Sequence, residues 1–195
     1  MQPGSQRGAS IIELLVGTGI LSIVMVAVSG MLVENGRVNK REHLRAEAQA
    51  NARNTVARAV SILRSAGWDP GDNGIPTVAL DPDTTDAISE IEAFIDHDGD
   101  GITAGTDFEQ IRIRHLGDRV EWRIDGTGPF QVMSTNITND ADGDGVVEPM
   151  FTPDSTTNPT RILVQVTAAS SAPDPDTGQP LRYTMTSEVV LRKRL

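Results

Sequence analysis

The chain has 195 residues, 38% hydrophobic and only 4% aromatic, enough for one modest soluble core once its N-terminal helix is set aside. Its formal charge of −10 opposes general nucleic-acid binding, which needs clustered bases to displace phosphate counterions. Cysteine is absent, which excludes disulfides and thiolate sites, so something else must hold the loops.

The first element in chain order is an apolar helix. Residues 11–33 carry one charge, Glu13, and the next is Glu34. At ~1.5 Å rise per residue, about 20 apolar residues span ~30 Å, the thickness of a bilayer's hydrocarbon core. A polar stretch, residues 1–8, precedes this segment and ends at Gly8-Ala9. A secretory signal is cut after its apolar region; here the plausible cut lies before it and would leave the helix at the new N-terminus. Glu13 is costly in such a place, because acids within membrane segments are as a rule paired or functional. The bases that follow, Arg37, Lys40, Arg41 and Arg45, run against the positive-inside rule if the C-terminal side is exported.

Residues 34–66 stay rich in helix formers, with Leu44, Ala48, Val56, Val60 and Leu63 forming an amphipathic stripe. Gly67 supplies a stop, and Asp69-Pro-Gly-Asp-Asn-Gly74 marks a turn-rich exit. Beyond residue 75 the period becomes two. Ile91/Ala93/Ile95, Ile111/Ile113 and Val120/Trp122/Ile124 predict half-buried strands, with a hairpin turn at His115-Leu-Gly-Asp-Arg119. Ile162/Val164/Val166 and Leu181/Tyr183/Met185 with Val189/Leu191 predict more, separated by loops at 81–86, 152–160 and 171–180. The expected fold class is α+β, a long N-terminal helix packed on an antiparallel sheet.

The strongest chemical motif is Asp96-His-Asp98-Gly-Asp100-Gly101-Ile102, continuing to Asp107. It places acids at positions 1, 3, 5 and 12 and glycine at 6. Calcium takes six to eight oxygens, and alternating aspartates around a glycine turn converge carboxylates while the position-7 carbonyl, here of Ile102, adds another. The loop departs from an EF-hand in having Asp107 at position 12 and strands at its flanks; in the first respect it looks like a dockerin-type loop. The bland alternative is an acidic surface turn. A second copy, Asp140-Ala-Asp142-Gly-Asp144-Gly145-Val146-Val-Glu148, has Phe151 where the twelfth-position acid would fall. Glu148, directly or through water, and Asp154 are candidates to complete it; otherwise it is a solvated acidic turn. Magnesium suits either loop less well, because it prefers to keep its water.

Enzymatic chemistry finds little support. The only histidines are His43, His97 and His115, with no Cys/His dyad, no convincing Ser/His/Asp set and no Walker or dinucleotide fingerprint. His97 reads as a spacer within the acidic loop, His43 as a helix-surface residue and His115 as a strand-end residue. Trp68 and Trp122 read as core anchors.

The N-terminal register, Gly8 followed by Ala9-Ser-Ile-Ile-Glu-Leu-Leu with Glu13 fifth after the cut, resembles the type IV pilin superfamily. Ala9 stands where that family usually has Phe, and the leader has one base, Arg7. The run from Arg53 to Arg64-Ser-Ala-Gly67-Trp68 resembles the helix end of PilW-type minor pilins, and Thr184-Met-Thr-Ser-Glu-Val-Val-Leu-Arg192 is similar to their last strand. The resemblance implies a leader at 1–8 removed by prepilin peptidase, a helix over 9–66 whose membrane part is about 11–33, and a head over 67–195. It further implies a bacterial inner-membrane protein with an exported head that packs with other major and minor pilins. Glu13 would then attract the free α-amino group of Ala9 on a neighbouring subunit. The expected role is a minor pilin in type IV pilus assembly. Alternatives are a J-type pseudopilin of type II secretion or, from another class, a membrane-anchored calcium-dependent adhesin.

Overall fold

The computed structural model describes residues 10–80, 89–103, 108–124, 128–156 and 158–192, and the chain divides into two units, residues 1–42 and 43–195. The N-terminal helix is one continuous element, α1 (Ile11–Ser65). In the first unit all residues from Ser10 to Lys40 are exposed, and an 18-residue window reaches a mean hydropathy of 2.5. This helix is long and apolar enough to cross a membrane, and among the described residues none covers its apolar surface there.

In the second unit α1 becomes amphipathic. Leu44, Ala48, Ala52, Val56, Ala59, Val60 and Leu63 are buried, at steps that keep them on one helical face. Burying each larger aliphatic side chain stabilises by about 1.5–3 kcal/mol. Thr55, also buried, returns its hydroxyl to the Asn51 carbonyl at 2.7 Å, so no polar atom is stranded. Gly67 ends the helix with φ of 74°, and its N–H donates to the Phe94 carbonyl at 2.8 Å. The expected stop is therefore also a tie between the helix end and a strand.

Strands β1 (Val78–Leu80), β2 (Ser89–Phe94), β3 (Gln110–Leu116), β4 (Arg119–Ile124) and β5 (Gln131–Thr135) form one antiparallel sheet in that order. Strands β6 (Phe151–Pro153), β7 (Arg161–Pro173) and β8 (Pro180–Val190) form a second. The α+β expectation holds, but with two sheets where one was expected. Where β2 and β6 approach, the Phe151 N–H donates to the Ser89 side-chain oxygen at 3.3 Å.

Alternation places Ile91, Ile113 and Trp122 side by side on the core face of the first sheet. The opposite face is a ladder of charge. Arg112 pairs with Glu90 at 3.2 Å and Glu92 at 2.9 Å, Arg114 with Glu121 at 2.9 Å, and the Phe130 ring lies beneath Arg114 and Arg123. The second sheet contributes Ile162, Val164, Val166, Ala168 and Val189 to the same core.

Three sequence expectations need correction. Trp68 is 43% exposed, with the Arg192 guanidinium 4.9 Å from its ring, because its carbonyl accepts the Asp96 N–H and the chain presents backbone inward; Trp122 does pack on the core. The loop expected at 171–180 is shorter, since β7 runs to Pro173 and Asp174 closes the turn with its N–H on the Gln179 carbonyl at 2.9 Å. β6 likewise takes up the start of the 152–160 loop. The expected 81–86 loop lies outside the described residues.

His115 belongs to β3 itself, and the turn is Gly117-Asp118 alone, with Gly117 at φ of 62°. Its ring is fully buried and its Nε2 donates to the Ile137 carbonyl at 3.0 Å, which fixes the neutral tautomer. Burial pulls its pKa below the ordinary 6.5. The unfolded chain therefore takes up a proton that the folded chain resists. This contribution to stability is complete above about pH 6.5 and is lost as pH falls through that value toward the folded pKa. Thermal melts from about pH 7 to about pH 5 should show a falling midpoint, with a shallower slope in His115→Gln; equal slopes would count against His115 as the source.

Candidate metal loops and the N-terminal carboxylate

The first acidic loop joins β2 to β3, and the second joins β5 to β6. They share one hydrogen-bond scheme. Asp96 accepts the Gly99 N–H at 2.6 Å and the Gly101 N–H at 3.0 Å; Asp140 accepts those of Gly143 at 2.7 Å and Gly145 at 3.2 Å. Asp98 accepts from Asp100 and Asp100 from Ile102, at 3.0 and 2.7 Å; Asp142 and Asp144 do likewise with Asp144 and Val146, at 3.2 and 2.7 Å. The turns need φ near 80° at Gly99, Gly101, Gly143 and Gly145, where a side chain would be strained.

Carboxylates converge in both loops. Ligand oxygens of Asp140, Asp142 and Asp144 lie within 4.8 Å of one another. In the first loop the same holds for Asp96, Asp98 and Glu109, while Asp100 is outside that group. Asp107, expected at position 12, lies outside the described residues. Glu109 went unread because it falls two residues past the expected ligand, yet it is buried and its carboxylate accepts the His97 N–H at 2.8 Å. Glu148 has the matching role in the second loop, accepting the Ala141 N–H at 3.2 Å. An acid returning to the N–H of the second loop position is thus the shared feature, and the place of Glu148 in the second loop is the sequence signal by which Glu109 could be found.

Ile102 and Val146 have aliphatic, exposed side chains, and only their backbone carbonyls carry an atom a metal could take. Asp154 does not join the second loop. It accepts from the Thr160 hydroxyl and from its N–H at 2.8 Å, bonds that hold its pKa below the usual carboxylate value.

The loops are anchored differently. Asn73 donates from Nδ2 to Asp96 at 3.1 Å and to the Gly99 carbonyl at 3.0 Å, fastening the turn after α1 to the first loop. Arg182 on β8 reaches Asp140 at 3.4 Å. The buried Asn139 ties the second loop to β7, donating to the carbonyls of Glu148 at 3.0 Å and Gln165 at 3.2 Å and accepting the Thr167 N–H at 2.8 Å.

At the N-terminus, Glu13 accepts the Ser10 N–H at 3.0 Å while the Ser10 hydroxyl accepts the Ile12 N–H at 3.3 Å. With Glu three residues after Ser, the two cap the helix in the manner of a capping box, the Ser10 hydroxyl taking the N–H two residues on, which gives this acid a local use. Gly8 and Ala9 lie outside the described residues. The histidines are apart: His43 is exposed on α1, His97 is exposed in the first loop and His115 is in the core. A cleft of about 450 Å³ is lined by Gly67, Asp69, Thr77, Thr160 and Arg192 among others, with no imidazole in its wall. Comparison of the chain with protein-family models, with curated proteins and with solved structures gives no match.

Proposed function

We propose that the chain is a minor pilin-type subunit, anchored in the bacterial inner membrane by the first part of α1 and assembled with other major and minor pilins through that helix. The observation that carries this reading is the continuity of α1: one 55-residue helix runs from a fully exposed apolar segment into an amphipathic stretch packed on antiparallel strands. An apolar helix with no cover of its own needs lipid first and other helices afterwards. On this reading a prepilin peptidase cuts between Gly8 and Ala9, and Glu13 attracts the α-amino group of a neighbour's Ala9, a pairing stronger in lipid than in water. The role is structural rather than enzymatic.

Two experiments test it. Mass spectrometry of the protein from its native host should find Ala9 as the N-terminus; an intact Met1 in assembled fibres would defeat the idea. Glu13→Gln keeps the capping hydrogen bond to Ser10 but removes the charge, so it separates the cap from the subunit contact. Membrane insertion should survive and fibre assembly should fail. Normal assembly would reduce Glu13 to a cap.

Calcium belongs to the proposal. The donors are all oxygen, three carboxylates in each loop lie within 4.8 Å of one another, and the loops flank strands in a domain without cysteine. Asp96, Asp98 and Glu109 would hold one ion with the Ile102 carbonyl; Asp140, Asp142 and Asp144 would hold the other with Val146 and Glu148. The ion would supply charge neutralisation and a cross-link between distant segments.

A further inference from the structure

We infer that Arg182 is a tethered cation seated on the second loop that sets its calcium affinity below that of the first, so that the two loops fill in order. This rests on the calcium reading above and adds a regulatory device to it. The two loops match bond for bond within themselves, and their first carboxylates are both buried, Asp96 fully and Asp140 nearly so. Beyond the acids that converge, three in each loop, what differs is the side chain brought against that first carboxylate from elsewhere in the fold. Asn73 presents a neutral amide to Asp96, which orients the carboxylate and leaves its charge available. Arg182 presents a guanidinium to Asp140, with Nη2 3.4 Å from Oδ2.

The seat is built for that group. A Cβ at residue 143 would collide with Arg182 Nη1, so glycine there does two things: it permits the positive φ and it leaves room for the guanidinium. Arg182 comes from β8, opposite Ala169 of β7, so the strand pairing fixes its stem while its side chain keeps 32% exposure and can swing away. A divalent ion entering among Asp140, Asp142 and Asp144 meets this cation a few ångström away. Repulsion at that range, even with strong solvent screening, weakens binding by about tenfold. The first loop has no such opponent from Asn73. Calcium therefore occupies the first loop at lower concentration and the second only as Arg182 is displaced, which frees a guanidinium on β8.

Calorimetric calcium titration of the full chain in detergent tests this, with each loop isolated in turn. Asp98→Ala with Asp100→Ala leaves the second loop; Asp142→Ala with Asp144→Ala leaves the first. In the first background, Arg182→Gln and Arg182→Met should each tighten binding about tenfold, while Arg182→Lys, which keeps the charge, should bind as weakly as the parent. In the second background the same changes should alter nothing. Calcium binding by the second loop that is unchanged or weakened in both neutral variants would overturn the inference and make Arg182 a brace, leaving the calcium reading intact. No binding heat at millimolar calcium in the parent or any variant would overturn both.

Discussion

Removing calcium with a chelator should lower the melting temperature of this protein by about 5–10 °C, with the loss restored on adding the ion back. The size follows from linkage: at a dissociation constant of ~10 µM, ~1 mM free calcium adds roughly 2.7 kcal/mol, provided the unfolded chain binds negligibly. The mechanism is local. Without a cation, Asp96, Asp98 and Glu109 hold their oxygens within 4.8 Å of one another and repel. A bound ion would fasten the turn after α1 more firmly to the β2–β3 connection, which it already touches through Asn73 and through the Asp96 N–H on the Trp68 carbonyl at 2.7 Å. An ion in the second loop would do the same between Asn139, β7 and β8. In a chain without cysteine these are the places where a cross-link is most useful. Asp98→Ala with Asp100→Ala should abolish most of the calcium-dependent shift, and Asp142→Ala with Asp144→Ala a smaller part. Identical melting curves in chelator and in millimolar calcium would reduce both loops to acidic turns.

The elements legible in the sequence were those with a strong period. The stripe from Leu44 to Leu63 is the buried face of α1, and the alternations around Ile91, Ile113 and Trp122 are β2 to β4 in register. Strands β1, β5 and β6 are three to five residues long, and such short runs carry no usable alternation. The division into two sheets was illegible because it is set by which distant strands pair with one another, which no local alternation encodes. At the loops the spacing revealed the aspartates but neither Glu109 nor the side chains that fix each loop from outside. Asn73 precedes its loop by 23 residues and Arg182 follows its own by 42, distances at which no local pattern signals a contact. Glu13 illustrates the converse: Ser10 and Glu13 have the Ser-x-x-Glu spacing of a helix cap, legible in the sequence beside the charge the apolar segment makes conspicuous.

Asn139→Ala should destabilise the second unit by about 3–5 kcal/mol, a loss large enough to unfold a marginal domain. Asn139 is fully buried, with φ of 45°, and its side chain satisfies three backbone groups: the Glu148 and Gln165 carbonyls and the Thr167 N–H. Alanine removes all three partners and leaves the buried Thr167 N–H unsatisfied, at about 1–3 kcal/mol, while the part-buried carbonyls of Glu148 and Gln165 cost less because water reaches them. It also places a residue with a Cβ and no compensating side-chain bond in the left-handed region, at a further cost of about 1 kcal/mol. Asn139→Gly relieves the backbone term alone and should recover only that fraction. Asn139→Asp keeps the acceptor for Thr167 but replaces the amide donor with a carboxylate facing two carbonyls, so it should be nearly as damaging as alanine. The measurement is urea denaturation of the three variants in chelator, where metal binding cannot mask the difference. If alanine costs less than about 1 kcal/mol, the second loop is not fastened to β7 through this side chain, and the backbone bonds of Thr138 and Asn139 to the Thr167 carbonyl, at 2.9 and 3.1 Å, hold it alone.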